Sequence, residues 1–270
     1  MLALVSPALL VILALLLLPV GWLMWQSIYH DGFTIENYRR IFSEDIYWRS
    51  FLLTFRISLL VTLLALLLGY PLAYAAASVS KGWSILILSL VILPFWTSVL
   101  VRSYAWLALL QRTGVVNRML QYFGLVDEPL ALVHNTLGTV IATVHILLPF
   151  MVLPLYATMQ KIPGELIQAG ASLGGSPSYT FWRIFLPLSL PGVLAGATLV
   201  FVLCLGFYIT PELLGGGRTV LVSQLVSRNV ELYDQWGAAS AVGVLLLAGV
   251  FAIFVVVSRF IPLDRVVGQK

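Results

Sequence analysis

Charge is what this chain has least of. Of its 270 residues only 10% are Asp, Glu, Lys or Arg, while 60% are hydrophobic, and the mean hydropathy is +1.01. A soluble domain carries about a quarter charged residues, so an ordinary water-soluble globule is excluded. Cysteine is nearly absent too. The single Cys204 excludes an intrachain disulfide. The three histidines are scattered, and no Cys, His or carboxylate set has the spacing of metal ligands. No G-x-x-x-x-G-K-S/T stretch occurs, so the chain has no phosphate-cradling loop of that kind. The formal charge of +4 is spread along the chain rather than gathered in a patch, which argues against a nucleic-acid partner. Segments of about ten residues with alternating polarity, the mark of a membrane barrel, are missing. So are internal repeats and low-complexity linkers.

What remains is apolar and long. Crossing the hydrocarbon core takes about 20 apolar residues in a helix, and six stretches qualify: residues 6–29, 57–80, 84–110, 135–159, 187–211 and 236–260. Unpaired backbone groups cannot face lipid, so each must be helical. The expected architecture is an all-α integral membrane protein with six transmembrane helices, forming one membrane domain over residues 1–270. The first stretch lacks a basic leader and exceeds the usual apolar core of a signal peptide, about 7–15 residues. It is therefore expected to stay as a span.

Six spans put both termini on one side. Lys/Arg counts do not say which. The segments after the first, third and fifth spans carry Arg39, Arg40, Arg49, Arg112, Arg118, Arg218 and Arg228, but also nine acids; the opposite side carries Lys81, Lys161, Arg183, Arg265 and Lys270. Prolines lie within spans at 71, 94, 149 and 154, where each removes a backbone donor. Charged residues within spans are expensive, about 2.5–3.5 kcal/mol at mid-membrane, and usually face the protein interior. Arg56 can snorkel to the interface. Arg102 lies deeper, and either a structural partner such as Glu212 or a substrate group would satisfy it. His145 is either a packed, hydrogen-bonded histidine or a gate. Trp96, Tyr104 and Tyr208 offer aromatic faces to a cation.

Between the fourth and fifth spans, residues 160–186 are too polar for lipid. Residues 162–177 read as a short amphipathic helix. Pro163 suits a first helical position, and Glu165 suits the positive end of the helix dipole. Ile162, Leu166, Ala169 and Leu173 recur every three or four residues as one apolar stripe. Gly174-Gly175 and Ser176-Pro177 form a stop. A helix lying on lipid is usually rich in Lys and Arg; this one has only Lys161 at its edge. Its small residues, Ala169, Gly170, Ala171, Gly174 and Gly175, permit close approach by a protein.

The stretch Q-A-G-A-S-L-G-G-S-P-S-Y-T-F-W-R-I-F-L-P, residues 168–187, resembles the cytoplasmic coupling loop of bacterial ABC-importer permeases of the binding-protein-dependent type I family. That loop reads E-A-A, three residues, G, nine residues, I-x-L-P. Ala169, Gly174, Ile184, Leu186 and Pro187 fall on the spacing. Gln168 stands where the family has Glu, keeping the length but losing the charge, and Gly170 stands for the second Ala; Glu165, one turn earlier, is a partial substitute. Leu93-Pro94-Phe95-Trp96-Thr97, with Arg102 and Tyr104, resembles the permeases of spermidine/putrescine importers. So do residues 147–156, Ile162-Pro163 and Gly215-Gly216-Gly217.

The resemblance implies a permease that catalyses nothing and binds no cofactor itself. ATP and Mg would be bound by two copies of a cytoplasmic ATPase subunit. A second permease would complete the pore, and a periplasmic binding protein would deliver substrate. The chain would lie in the bacterial inner membrane with cytoplasmic termini, since residues 160–186 must meet the ATPase. The implied substrate is a polyamine; an opine, an amino-acid-like compound or another small organic solute stays open. An ion-coupled secondary transporter is the reading from a different class, but it would show intramembrane acids and Gly-interrupted half-helices in two related halves, and neither is visible.

Overall fold

The computed structural model describes residues 2–29, 32–217 and 219–260. His30, Asp31, Arg218, Arg265 and Lys270, which enter the charge count above, lie outside the described residues. The helices in chain order are α1 (Leu2–Ile28), α2 (Glu36–Ser43), α3 (Asp45–Ser78), α4 (Lys81–Ile92), α5 (Val99–Leu110), α6 (Val115–Tyr122), α7 (Thr136–Met159), α8 (Gly164–Ser172), α9 (Pro177–Thr180), α10 (Leu186–Leu205), α11 (Ile209–Gly215), α12 (Val222–Glu231) and α13 (Trp236–Phe260). Among the described residues, five helical stretches are long and apolar enough to cross a membrane, or six if one bent pair counts as a single crossing.

That bent pair departs from the expected third span. Residues 81–96 and 99–122 meet at 100° rather than forming one rod. Pro94 sits in a short 3₁₀ turn, Leu93–Trp96, and Thr97 is extended (φ −93°, ψ 150°). Pro94 supplies no amide to the ladder, and Ser98 caps α5 by accepting from the Leu100 amide at 3.3 Å. The second apolar stretch belongs to a helix that begins at Asp45, twelve residues before the expected span. The fifth ends at Leu205, where Gly206 breaks the helix before α11.

The chain divides into two compact units. One is built from residues up to Leu53 and from Leu221 to Val256; the other runs from Thr54 to Val220. In the second, α7 is the centre. Its buried face carries Gly138, Thr139, Ala142, Thr143, Met151 and Val152, among others. Small residues on α10 bring it close. A Cβ on Gly192 would come within 2.7 Å of Thr158 Oγ1, and one on Gly196 within 3.1 Å of the Met151 carbonyl oxygen. Gly69 on α3 meets Met151 in the same way. Membrane helices associate through such packing because lipid offers no hydrophobic drive. The 111–134 connection is tied down by buried Asn117, whose amide donates to the Gln111 and Leu130 carbonyls (3.0 Å each) and accepts from the Leu130 amide at 2.8 Å.

In the other unit, the large apolar side chains of α1 from Leu9 to Leu18 are all exposed. Its contacts sit at the end of α1: Ser27 Oγ meets Tyr38 Oη at 2.8 Å, and Asn37 Nδ2 donates to the Ser27 carbonyl at 3.2 Å.

Candidate functional site

The segment 162–187 is built by local signals. Pro163 is the N-cap of α8 (φ −63°, ψ 126°), one position earlier than expected, and the helix covers nine residues. Its end is a Schellman motif. The Gly174 amide donates to the Ala171 carbonyl and the Gly175 amide to the Gly170 carbonyl, each at 3.0 Å, with Gly174 left-handed at φ +81°. A Cβ at Gly174 would meet nothing, so the backbone alone requires glycine there; at Gly175 a Cβ would come within 2.8 Å of the Gly170 carbonyl oxygen. Ser176 then caps α9 by accepting from the Tyr179 amide at 3.2 Å, with Pro177 in its first turn. Residues 181–185 make one π turn leading into α10, just before Pro187, a residue that cannot donate to the ladder.

The two halves of the coupling pattern touch. A Cβ on Gly170 would fall 2.8 Å from Ile184 Cδ1 and 3.3 Å from Thr180 Oγ1. Glycine here lets α8 lie directly on the turn that carries Ile184. An aromatic clamp from α3 holds that turn: Tyr74 meets Phe181 and Phe185 edge-on, with ring centroids 5.6 and 5.0 Å apart, and Tyr70 Oη meets Ser189 Oγ at 2.9 Å. The clamp was not foreseen from the sequence, although Phe181 and Phe185 at i, i+4 are its visible half. Ile167, Ala171 and Gly175 line a cavity of about 260 Å³ against Phe181 and Phe185.

The opposite face of α8 is bare. Leu173 is 89% exposed and Leu166 44%; Glu165, Gln168 and Ala169 are exposed as well. The stripe predicted from periodicity is thus uncovered at Leu166, Ala169 and Leu173, with Ile162 half-buried ahead of the helix, while Gly170 faces Ile184 and the partly exposed Ile167 and Ala171 line the cavity. Leu186 is half-buried and Pro187 exposed at the start of α10.

The substrate-path candidates do not form one site. Trp96 projects from the bend at 87% exposure, and Tyr104 is half exposed. Arg102 is 8% exposed, and its Nε and Nη1 have no hydrogen-bond partner. The anticipated Arg102–Glu212 pair is not formed: Glu212 stands exposed in the first turn of α11. What joins α5 to α11 is Ser103 Oγ with Thr210 Oγ1 at 2.8 Å, a pair of small hydroxyls without a distinctive sequence signal. Tyr208 is half-buried just before α11. His145 Nδ1 accepts from Trp106 Nε1 at 3.2 Å, with the rings edge-to-face at 5.4 Å. The histidine is therefore held by packing and a hydrogen bond.

Comparison with known proteins follows this geometry. Residues 1–263 match the family described as binding-protein-dependent transport system inner membrane component. The chain is 33% identical to the spermidine/putrescine transport system permease protein PotB of Haemophilus influenzae, over 85% of this chain and 81% of that one. It is 34% identical to PotB of Escherichia coli K12, over 80% and 79%. It is also 36% identical to the inner membrane ABC transporter permease protein YdcU of the same organism, over 72% and 68%. Among solved structures it shares its fold with a chain of a bacterial ABC transporter involved in importing the acidic polysaccharide alginate. The TM-score is 0.71 at 18% identity, covering 99% of this chain and 95% of that one.

Proposed function

Since the chain belongs to the family of inner-membrane components of binding-protein-dependent transport systems, as a multi-pass ABC-importer permease whose ATP is hydrolysed by a separate subunit, we propose that it forms half of the pore of a bacterial polyamine importer. The fold is that of type I importer permeases. One observation carries the coupling role. α8 is anchored on one face by Gly170 against Ile184 and leaves Leu166, Ala169 and Leu173 uncovered on the other. An apolar face kept in water gains by being covered, and its small residues suit a groove in the ATPase.

In this reading the chain pairs with a second permease, two ATPase subunits sit at the α8 side, and a periplasmic binding protein docks opposite. Both termini are cytoplasmic. ATP binding closes the ATPase pair, pulls the docking helices together and opens the outer mouth; hydrolysis resets the inward-facing state. Nucleotide drives this only by binding one state better than the other.

The names of the PotB relatives support spermidine and putrescine as cargo. A second reading, a carboxylate-bearing small solute such as an opine or an amino-acid-like compound, is favoured by Arg102, a buried guanidinium with unpartnered Nε and Nη1. Uptake into proteoliposomes holding the full importer separates them. Labelled spermidine should enter in an ATP- and binding-protein-dependent way and be competed by putrescine. Competition by an opine but not by putrescine would favour the second reading.

A further inference from the structure

The spans hold almost no acids, yet a polycation needs carboxylates and aromatic faces. Both occur together at the end of α1. There a polar cavity of about 680 Å³ lies among Tyr29, Glu36 and Asn37 on one side and Asp234, Gln235 and Trp236 on the other. That volume is within the range of small-molecule sites, about 300–1,000 Å³. We propose that this cavity is an ammonium-binding vestibule that receives free polyamine. The proposal rests on the polyamine reading.

Four features of the cavity select a cation. First, its one guanidinium is already paired, with a carboxylate outside the lining and an amide within it. Arg40 Nε donates to Glu44 Oε1 at 2.8 Å, and Nη1 donates to the Gln235 side chain. With that cation paired, Glu36 and Asp234 leave the lining negative. Secondly, Asp234 is held in place for the task. Its Oδ1 accepts from Trp236 Nε1 at 3.0 Å. Its backbone is left-handed at φ +51°, a conformation that persists only where the surroundings impose it. The surroundings are the Gln235 amide, bound to the Asn229 carbonyl at 2.7 Å, and the Arg40 contact to Gln235. Thirdly, Trp236 and Tyr29 bring π-faces, and Trp is the strongest cation–π partner; Tyr29 is fixed by stacking on Trp25 at 4.9 Å. Fourthly, the wall is shaped to stay open. A Cβ on Gly237 would come within 2.8 Å of Asn37 Nδ2, so any larger residue would displace Asn37, which lines the cavity. A diamine could place one ammonium against each carboxylate, with its methylenes over the rings. Acidic clefts of this kind also raise the local concentration of cations and speed their capture.

The test is equilibrium binding of labelled putrescine and spermidine to the detergent-purified importer without its binding protein. Wild type should bind both saturably. Glu36→Gln and Asp234→Asn should each weaken binding roughly tenfold, since each removes one charge-assisted contact, and Gly237→Leu should abolish it. Glu36 and Asp234 are exposed, so both isosteric variants should co-purify with their partner subunits like wild type. Unchanged binding in both carboxamide variants overturns the proposal. In a parallel pull-down with the binding protein added back, loss of its association alone, with amine binding unchanged, also overturns the proposal, because the pocket would then be taking a lysine of that protein rather than free amine. Spermidine uptake by wild-type proteoliposomes separates this failure from failure of the polyamine reading. Uptake with unchanged pocket binding sinks the vestibule alone, whereas absent uptake of any polyamine sinks the reading itself.

Discussion

α7 and α8 are neighbours in sequence and opposites in setting. More than half of α7's most apolar window, 56%, is buried; α8 has no buried residue. Both are stacked through glycine, but to different ends. At α7 the glycines of α10 close a seam on both backbones, Gly192 against Thr158 and Gly196 against Met151. At α8 a single glycine, Gly170, lets one face settle on Ile184 while the other is left uncovered. The same device makes a core in one place and a prepared docking surface in the other. Apolarity by itself does not distinguish the two. α1 is as apolar as α7 and yet has none of its window buried; what marks α7 is its inner row of Gly, Thr and Ala.

The contrast can be broken first at the seam. Gly196→Leu should prevent α10 from docking, because the nearest obstacles include the Met151 backbone; overpacking usually costs about 1–3 kcal/mol, and more where backbone must move. Loss of a monodisperse peak in size-exclusion chromatography is the expected readout. Next comes α8, where function should fail and the fold should not. Ala169→Asp puts a charge on the bare stripe, and Gly174→Val forces a β-branched residue to φ +81°, at about 1 kcal/mol or more. Both variants should insert and pair with the partner permease, yet lose ATPase co-purification about tenfold or more and lose uptake. Gly175→Ala should be milder, since its methyl would crowd the Gly170 carbonyl and the Tyr179 ring but demands no left-handed backbone; partial loss of coupled ATPase stimulation is expected. Smallest of all, Gly170→Ala and Gln168→Glu restore the family residues. The first needs only a shift of the flexible Ile184 tip, and the second is exposed, so uptake should stay within about twofold of wild type, as surface changes usually do.

Much of this was legible in the sequence. Apolar runs located the long helices because a membrane leaves the backbone no other option. Gly174-Gly175 and Ser176-Pro177 announced the end of α8 and the start of the next turn through local chemistry. What the sequence hid was tertiary. The 100° bend after Pro94 looked like a tolerable kink within one span, because nothing local says whether a proline bends or breaks a helix. Glu212 was one of two partners offered to Arg102, by charge alone, and the fold leaves the Arg102 Nε and Nη1 without a hydrogen-bond partner. The apolar stripe of α8 was legible from its spacing, but the cover of its other side, Ile184 and the Tyr74 clamp, comes from distant parts of the chain and left no local signal.

The central claim is that the bare face of α8 is covered by the ATPase. Cys204 is buried and is the chain's one thiol, so Cys204→Ala gives a clean background for Ser172→Cys on exposed α8. The measurement is its rate of modification by a membrane-impermeant maleimide in inside-out vesicles, with and without bound ATPase. The account predicts rapid labelling of the stripped permease, strong protection when the ATPase is bound, and no labelling of intact spheroplasts. Equal labelling with and without ATPase, or labelling from outside the cell, would contradict it.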